Sequence, residues 1–172
     1  MRANSAPVAK ATAKLAEETS VPSLLTATAR MLVELVGVEA CTISRVIGDL
    51  LVDLVQHRRI GEAARLGHGY LISDYPLTRE VLAQLEPRTV FVADADADPD
   101  EVRLLREMGF DALLMAAIEV DGAAWGLIEV YGEGSGTFAD EDVKLVREVA
   151  RAASVRLKHL EGHGSARVEQ CP

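Results

Sequence analysis

The chain has 172 residues, of which 49% are hydrophobic, 26% charged and only 4% aromatic, and its net charge is −9. A chain of this length and apolar content forms a folded domain rather than a disordered segment. The acidic balance excludes a surface that neutralises nucleic-acid phosphates, which requires Lys and Arg. No apolar run reaches the roughly 20 residues that cross a bilayer, and the first twenty residues lack the apolar core of a signal peptide. We therefore expect a cytoplasmic protein that binds neither nucleic acid nor membrane.

The first part of the chain shows helical periodicity. Residues 1–20 predict a loose helix or a disordered extension, because Val8 and Leu15 are the only sizeable apolar side chains in its body. A firmer helix follows, with Pro22 in its first turn, apolar residues at helical spacing and Gly37 as its stop.

The period then changes to two, which predicts a β-hairpin. VEACTISRVI and LLVDLVQH flank Gly48-Asp49, a pair suited to a type II′ turn. Pairing Ile47 with Leu50 places Ser44 opposite Asp53. Uninterrupted alternation then gives one half-polar face and one mostly apolar face. The half-polar face holds Thr42, Ser44, Asp53 and His57 with Val46, Leu51 and Val55; the apolar face holds Cys41, Ile43, Val52 and Leu54, with Arg45 and Gln56 near the ends.

An irregular stretch separates this hairpin from the next. Residues 58–69 show no period, and SDYPLTREVLAQLEP predicts a short helix capped by Ser73 or Asp74. RTVFVA predicts a short strand. A second short helix follows, with Asp98 as N-cap and Glu101 completing a capping box.

A second hairpin turns on Asp121-Gly122, a strong type I′ signal, and both of its strands are apolar on both faces. Pairing Val120 with Ala123 places Glu129 among apolar and aromatic neighbours. Such a carboxylate is costly unless it pairs or is neutralised. The neighbours expected on its face are Trp125, Leu127, Tyr131, Leu114, Ala116 and Ile118. A long amphipathic helix from near Phe138 to Leu160 ends the ordered chain.

Three segments, LGHGYLISDYPLTREVLAQLEPRTVFV, MGFDALLMAAIEVDGAAWGLIEVYG and FADEDVKLVREVA, resemble a GAF domain, in particular the sensory GAF domains found beside bacterial signalling enzymes and regulators. Gly122 and Gly126 match recurrent glycines of that family, whereas Ala117 stands where Pro is frequent and Ala139 where Ser or Thr often caps the last helix. The likeness covers about residues 20–160. It implies a GAF-like, PAS-related α+β fold, with a central antiparallel sheet, the N- and C-terminal helices on one face and a roof of loops and short helices, about residues 58–111, on the other.

The resemblance also implies a function, because GAF domains commonly bind a small molecule under the roof. A ligand site is typically apolar with a few placed polar groups, and the candidates here are Ser44, Asp53, His57, Tyr70, Tyr75 and Glu129. The alternative is that Glu129 is structural and reaches an internal Arg or a backbone N–H. The residues do not identify a ligand or cofactor.

Several specialised GAF chemistries lack their residues here. Free methionine sulfoxide reductases need a second thiol near the first, and the two cysteines, Cys41 and Cys171, lie on a predicted strand and in the predicted tail. Residues 58–111 contain no Cys for the thioether of a bilin photoreceptor, and the Asn-Lys…Asp signature of cyclic-nucleotide binding is absent from the sequence. We expect no catalysis, and the reductase is the remote alternative.

Metal binding is also not expected. DADADPDE begins like an EF-hand loop, but Pro99 replaces the required Gly and Leu105 the bidentate Glu. His57 and His68 are interpreted as solvated side chains rather than haem ligands.

The resulting hypothesis places a GAF domain at residues 21–160, preceded by the extension at 1–20 and followed by a disordered tail at 161–172. The wide apolar stripe of the last helix, with small residues at Ala150, Ala152 and Ala153, predicts a homodimer through the terminal helices. Ligand binding is expected to shift those helices and so to signal to a separate output protein. The alternative is a ligand-free interaction or dimerisation module with the same fold.

Overall fold

A computed structural model describes residues 5–61, 67–134 and 138–165. Helices and strands alternate along the chain much as the sequence predicts. In order they are α1 (Ser5–Leu15), α2 (Val21–Val36), β1 (Ala40–Ile47), β2 (Leu50–Arg58), β3 (Gly69–Leu71), a 3-10 turn (Ile72–Asp74), α3 (Pro76–Gln84), β4 (Arg88–Phe91), α4 (Pro99–Met108), β5 (Ala112–Val120), β6 (Ala123–Gly132) and α5 (Asp140–Ser165).

The six strands form one antiparallel sheet in the order β3-β2-β1-β6-β5-β4. Helices α2 and α5 pack on one face of the sheet, with α1 lying against both of them. The 3-10 turn, α3 and α4 cover the other face. We call these the helix face and the roof face. The predicted α+β architecture is confirmed.

Each face of the sheet has its own hydrophobic core. On the helix face, Leu24 and Leu32 of α2 and Val149 and Leu157 of α5 pack against strand residues such as Ile128. On the roof face, Leu51 of β2, Leu105 of α4, Phe110, Met115 of β5 and Leu127 of β6 pack together. Burial on both faces explains why β5 and β6 are apolar throughout.

The predicted turns and most predicted helix ends are present. Gly48 has φ +62°, while Asp121 and Gly122 have φ +53° and +80°, as type II′ and type I′ turns require. Asp98 caps α4 by accepting hydrogen bonds from the N–H groups of Asp100 and Glu101.

The start of α3 and the end of α5 differ from the prediction. Tyr75, not Ser73 or Asp74, is the N-cap of α3. The hydroxyl and backbone N–H of Ser73 instead donate to the Asp49 carboxylate, at 2.6 and 3.0 Å, which ties the 3-10 turn to the first hairpin. Helix α5 continues to Ser165, into the predicted tail, and residues 166–172 of that tail lie outside the described residues.

Two β-bulges change which side chains share a face. In the β1–β2 ladder Ile43 pairs with Val55 but Ser44 pairs with Asp53, so that Leu54 is an extra residue. Each bulge reverses the alternation beyond it. Val55 and His57, paired with Ile43 and Cys41, therefore lie on the helix face, and the prediction that they share the face of Asp53 is wrong. Gln56, which was predicted on the mostly apolar face, lies instead on the face of Thr42 and donates to the Thr42 hydroxyl at 3.2 Å.

The second bulge lies in β6. Ile118 pairs with Gly126 but Glu119 pairs with Ala124, which leaves Trp125 as the extra residue. Glu129 consequently pairs with Met115. The prediction for its neighbours was right for Leu127 and Tyr131, which share the roof-face core. It was wrong for four residues that belong to the helix-face core, namely Trp125, Leu114, Ala116 and Ile118.

Close packing of β6 against β1 generates a prediction for Gly126. A Cβ at this position would lie 2.3 Å from the backbone oxygen of Ser44, so that the two central strands would have to separate. We expect Gly126→Ala to lower the free energy of unfolding by roughly 3 kcal/mol, measured by urea denaturation. Gly162→Ala is the control, because nothing lies within 4 Å of its Cβ, and Ala in a helix should stabilise by up to about 1 kcal/mol. Equal effects of the two substitutions would show that the close approach of β6 to β1 does not require Gly126.

Candidate functional site

A cluster of polar side chains lies within the roof-face core. Ser44 of β1 donates its hydroxyl hydrogen to Oδ1 of Asp53 in β2 at 2.8 Å. Tyr70 of β3 donates to Oε2 of Glu129 in β6 at 3.0 Å, and the ring of Tyr75 packs edge-on against Tyr70, with centroids 5.5 Å apart. The structure thus brings together five of the six predicted site residues. The sixth, His57, lies across the sheet on the helix face.

The edge of the sheet positions two of these groups. Tyr70 pairs with Leu51, which aligns β3 along β2. Just before β3, the backbone oxygen of His68 accepts a hydrogen bond from the N–H of Asp53 at 2.9 Å, while the N–H of Gly67 donates to the oxygen of Asp53 at 3.0 Å. The backbone of Asp53 is therefore fixed on both sides, and its carboxylate stays beside Ser44.

Sequence reasoning missed Glu101, which it assigned to a capping box. Its side chain is 1% exposed and accepts a hydrogen bond from the hydroxyl of Thr78 in α3 at 2.7 Å. The signal was present in the helical spacing, because Glu101 lies on the same stripe of α4 as the buried Leu105, one turn away. A third carboxyl group thus joins Asp53 and Glu129 on the roof face.

Glu129 carries the strongest electrostatic perturbation of these carboxyl groups. Burial, reinforced by the charges of Glu101 and Asp53, raises its pKa from 4.5 to about 8, although hydrogen bonding by the Tyr70 and Tyr131 hydroxyls opposes the rise. Its partner is thus a tyrosine hydroxyl rather than the Arg or backbone N–H of the structural alternative. A carboxyl group in this state is mostly protonated at neutral pH and can donate a hydrogen bond.

The other titratable groups of the cluster shift in the same direction. Burial raises the pKa of Asp53, opposed by the Ser44 hydrogen bond and the charge of His68. Burial also raises the pKa of Glu101, opposed by its bond from Thr78. The pKa of the Tyr70 hydroxyl is raised by burial and then by Glu129. All three effects disfavour negative charge under the roof.

The thiol and the potential metal ligands of the described residues lie as follows. Cys41 is buried on the helix face, and burial raises the pKa of its thiol, which suppresses the reactive thiolate. Within residues 5–61, 67–134 and 138–165, no group of three or more His, Cys, Asp or Glu is placed to hold a metal ion.

The clefts on the described surface include three that lie elsewhere. One of about 540 Å³ lies between the β5 edge and α5, one of about 640 Å³ lies beside Asp94–Pro99, and one of about 330 Å³ lies at the end of β2. None of these three is lined by Glu129 or Tyr70.

Comparison with known proteins identifies the family. A family model for the GAF domain matches residues 20–157. The chain belongs to the GAF domain family. No curated protein matches it. None of the helices in the described part of this GAF domain is long and apolar enough to span a membrane.

Two solved structures show the same fold. Bacteriophytochrome RpBphP3 from the photosynthetic bacterium R. palustris superposes with a TM-score of 0.84 at 15% identity, over 97% of this chain and 40% of that chain. The chromophore-binding domain of the same protein superposes with a TM-score of 0.82 at 15% identity, over 92% of this chain and 61% of that chain. This chain therefore spans less than two thirds of either length, and the likeness extends to the fold alone.

The raised pKa of Glu129 predicts how stability depends on pH. Between pH 4.5 and about 8 the unfolded chain releases a proton that the folded chain retains, so this group makes stability fall as pH rises through that window. The slope is on the order of 1 kcal/mol per pH unit. Glu129→Gln keeps a neutral side chain, and its free energy of unfolding should lose this decline, as urea denaturation from pH 5 to 8.5 will measure.

Glu34→Gln, at an exposed position of α2, is the matched control and should run parallel to the wild type. A wild-type curve parallel to that of Glu129→Gln over the whole range would show that Glu129 titrates normally.

Proposed function

We propose that this GAF domain is a sensory domain that binds a small molecule at the polar cluster under its roof. The observation that carries the proposal is Glu129, a 1% exposed carboxyl group on a central strand, bonded to the Tyr70 hydroxyl. An apolar residue there would serve packing without the desolvation cost of a carboxyl group. Ionisable groups with perturbed pKa values in such surroundings are candidates for function.

The two halves of the cluster differ in how firmly they are held. Glu129 and Ser44 lie on the central strands β6 and β1. Tyr70 lies on β3, a three-residue edge strand paired only with β2. A ligand can therefore replace the Tyr70 hydroxyl on Glu129 by moving the edge strand and leaving the centre of the sheet in place. Neutral pH leaves Glu129 mostly protonated, so the ligand meets a group able to donate a hydrogen bond.

The neighbours in the structural comparison support ligand binding by analogy of fold. One of them is named as a chromophore-binding domain. A chromophore is accordingly one ligand class to test here, although residues 58–111 offer no Cys for a thioether. We propose no catalytic activity, since the buried Cys41 speaks against the sulfoxide reductase alternative. The cytoplasmic location is also part of the proposal and rests on the sequence.

A ligand-free interaction module is the second candidate. It is favoured by the same hydrogen bond, because the Tyr70 hydroxyl already satisfies Glu129. It is also favoured by the three clefts described above, none of which reaches that pair.

Native and denaturing mass spectrometry of the purified protein, with an absorption spectrum, separates the two candidates. We expect a small-molecule mass in the wild type that is reduced or absent in Glu129→Met, because the substitution removes the hydrogen-bonding carboxyl group that the ligand uses. Glu34→Met, at an exposed position of α2, is the matched control and should retain the ligand. Bare polypeptide in all three samples, with melting temperatures unchanged by a panel of metabolites, would favour the ligand-free module.

We further propose that signalling runs through a homodimer formed by the terminal helices. Most of the α5 stripe packs internally, including Val146, Ala150 and Ala153. Val155, however, is 69% exposed on this 26-residue helix and is available to a second copy. Light scattering after size exclusion should give a dimer mass for the wild type and a monomer mass for Val155→Asp. Ile60→Asp, which removes another exposed apolar side chain that lies outside the helices, should stay dimeric. A monomeric wild type would end this part of the proposal.

A further inference from the structure

We propose that the open edge of β5 binds an extended, acidic segment of a partner protein, which adds to the sheet as a further strand. The site is the cleft of about 540 Å³ that lies between this edge and α5. Neither Glu129 nor Tyr70 lines it, so the proposal does not rest on the ligand site under the roof.

The edge is open because β4 is shorter than β5. Strand β4 pairs with residues 112–115 only, and no described strand lies beside residues 116–120 of β5 on that side. An unpaired strand edge presents N–H and C=O groups to any chain that can pair with it. Extended peptides bind such edges through main-chain hydrogen bonds, while their side chains provide the specificity.

Two residues of this stretch direct their backbone groups toward the cleft. The N–H of Glu119 donates to the hydroxyl oxygen of Ser154 in α5 at 3.1 Å, so the backbone of Glu119 faces away from β6. Successive residues of a strand alternate in this respect, so the N–H and C=O of Ala117 face the same way. Both residues line the cleft. The edge therefore offers the N–H of Ala117 and the carbonyl oxygens of Ala117 and Glu119.

Two ion pairs mark the ends of the cleft. Arg147 of α5 pairs with Glu86 at 2.5 Å, and Lys158, further along α5, pairs with Asp121 at the β5–β6 turn. All four residues line the cleft. The stretch of α5 between the two cations spans roughly 16 Å, which matches about five residues of extended chain. The cleft therefore fits a short segment that lies along β5.

The charges between these ion pairs favour an acidic segment. Arg151 lies between Arg147 and Lys158 on α5, lines the cleft and has no ion-pair or hydrogen-bond partner among the described residues. Glu119 also lines the cleft, but its side chain lies on the roof side of the sheet, because the preceding Ile118 points into the helix-face core. A carboxylate on the α5 side of the added strand would pair with Arg151 and leave both existing ion pairs in place.

A single strand fits this edge better than the same edge of a second copy. Ser154 reaches the N–H of Glu119, so α5 lies over the edge of β5. Two copies joined by their β5 edges would have these strands about 4.8 Å apart, whereas packed helices need about 8–10 Å between their axes. The two α5 helices would therefore collide. Val155 lines the same cleft, so the segment would compete with a second copy that packs on α5.

The experiment is a titration of the ¹⁵N-labelled protein with the peptide Thr-Val-Glu-Val-Thr, blocked at both ends, followed by ¹H–¹⁵N spectra. Its central Glu is placed to face α5, and its two Val residues are placed to pair with Ala117 and Glu119. We expect saturable shifts at Ala117, Glu119 and Arg151, with a Kd of roughly 0.1–1 mM, because ordering so short a chain costs much of the binding free energy. The same peptide N-methylated at both Val residues lacks the N–H donors to the edge and should bind about tenfold more weakly.

Ala117→Pro removes the N–H donor of the edge itself and should also weaken binding about tenfold. Proline is tolerated where the N–H of an edge strand faces outward, so this variant is expected to fold, and the dispersion of its spectrum shows whether it does. Ala117→Ser keeps the N–H and is the matched control. Equal affinity of the N-methylated peptide for the wild type, or of the unmodified peptide for folded Ala117→Pro, would overturn the addition of a strand at this edge.

The choice of an acidic segment is tested at Arg151. Arg151→Gln should weaken binding of the Glu peptide about threefold and leave binding of Thr-Val-Gln-Val-Thr unchanged. Arg103→Gln is the matched control, because Arg103 pairs with Asp100 on α4, outside the cleft. Binding of Thr-Val-Lys-Val-Thr as tight as that of the Glu peptide would overturn the acidic character of the segment. A wild-type dimer that becomes a monomer in Ala117→Pro would show that a second copy covers the edge, which would overturn the assignment to a partner protein.

Discussion

The register of the central strand pair determines which side chains of this GAF domain lie under the roof. Gly126 lets β6 approach Ser44 of β1 more closely than any side chain would allow. Beside this contact, the bulge at Trp125 is held by Arg45, whose guanidinium lies 4.1 Å from the indole centroid and donates to the Trp125 backbone oxygen at 3.1 Å. The bulge gives Glu129 its place on the roof face. One residue fewer in β6 would turn that carboxyl group toward the helices.

The same bulge connects the two layers. Nε1 of Trp125 donates to Oε1 of Glu161 in α5 at 2.8 Å, so the last helix is attached to the strand that carries Glu129. Across the sheet, Arg45 directly follows Ser44, the partner of Asp53. A continuous series of contacts therefore runs from the polar cluster to the terminal helix. Contact alone does not establish a coupling energy, but a change in register or tilt of β1 or β6 would reach both ends.

Local sequence signals predicted what depends on near neighbours. Asp121-Gly122 and Gly48-Asp49 set their turns through backbone preference alone, and Asp98 capped its helix as expected. The prediction of which side chains share a face was wrong beyond each bulge, because the extra residues Leu54 and Trp125 look like ordinary members of an alternating pattern. Their role depends on pairing partners far along the chain. The side chain of Glu101 was mispredicted for a different reason: its position three residues after an N-cap suits a capping box, which hid the helical spacing that places it beside the buried Leu105. The pairing of Ser44 with Asp53 was predictable because it lies between the turn and the first bulge. Tyr70 reaches Glu129 from 59 residues away, and the strand that carries it has only three residues, too few for periodicity to reveal. Site residues on regular strands close to a turn are thus the ones that the sequence can place.

The free-energy cost of burying carboxyl groups under the roof bears on why the polar cluster exists. Three carboxyl groups share one side of the sheet, and burial raises the pKa of each. Hydroxyl groups hold all three, namely those of Ser44, Thr78 and Tyr70. A hydroxyl can both donate and accept, so this arrangement tolerates either protonation state of its partner, whereas an arginine would fix the charged one. The roof therefore encloses three hydroxyl–carboxyl pairs, each of which can keep its hydrogen bond in either protonation state of the carboxyl group. A site needs this property if it is to exchange an internal partner for an external one.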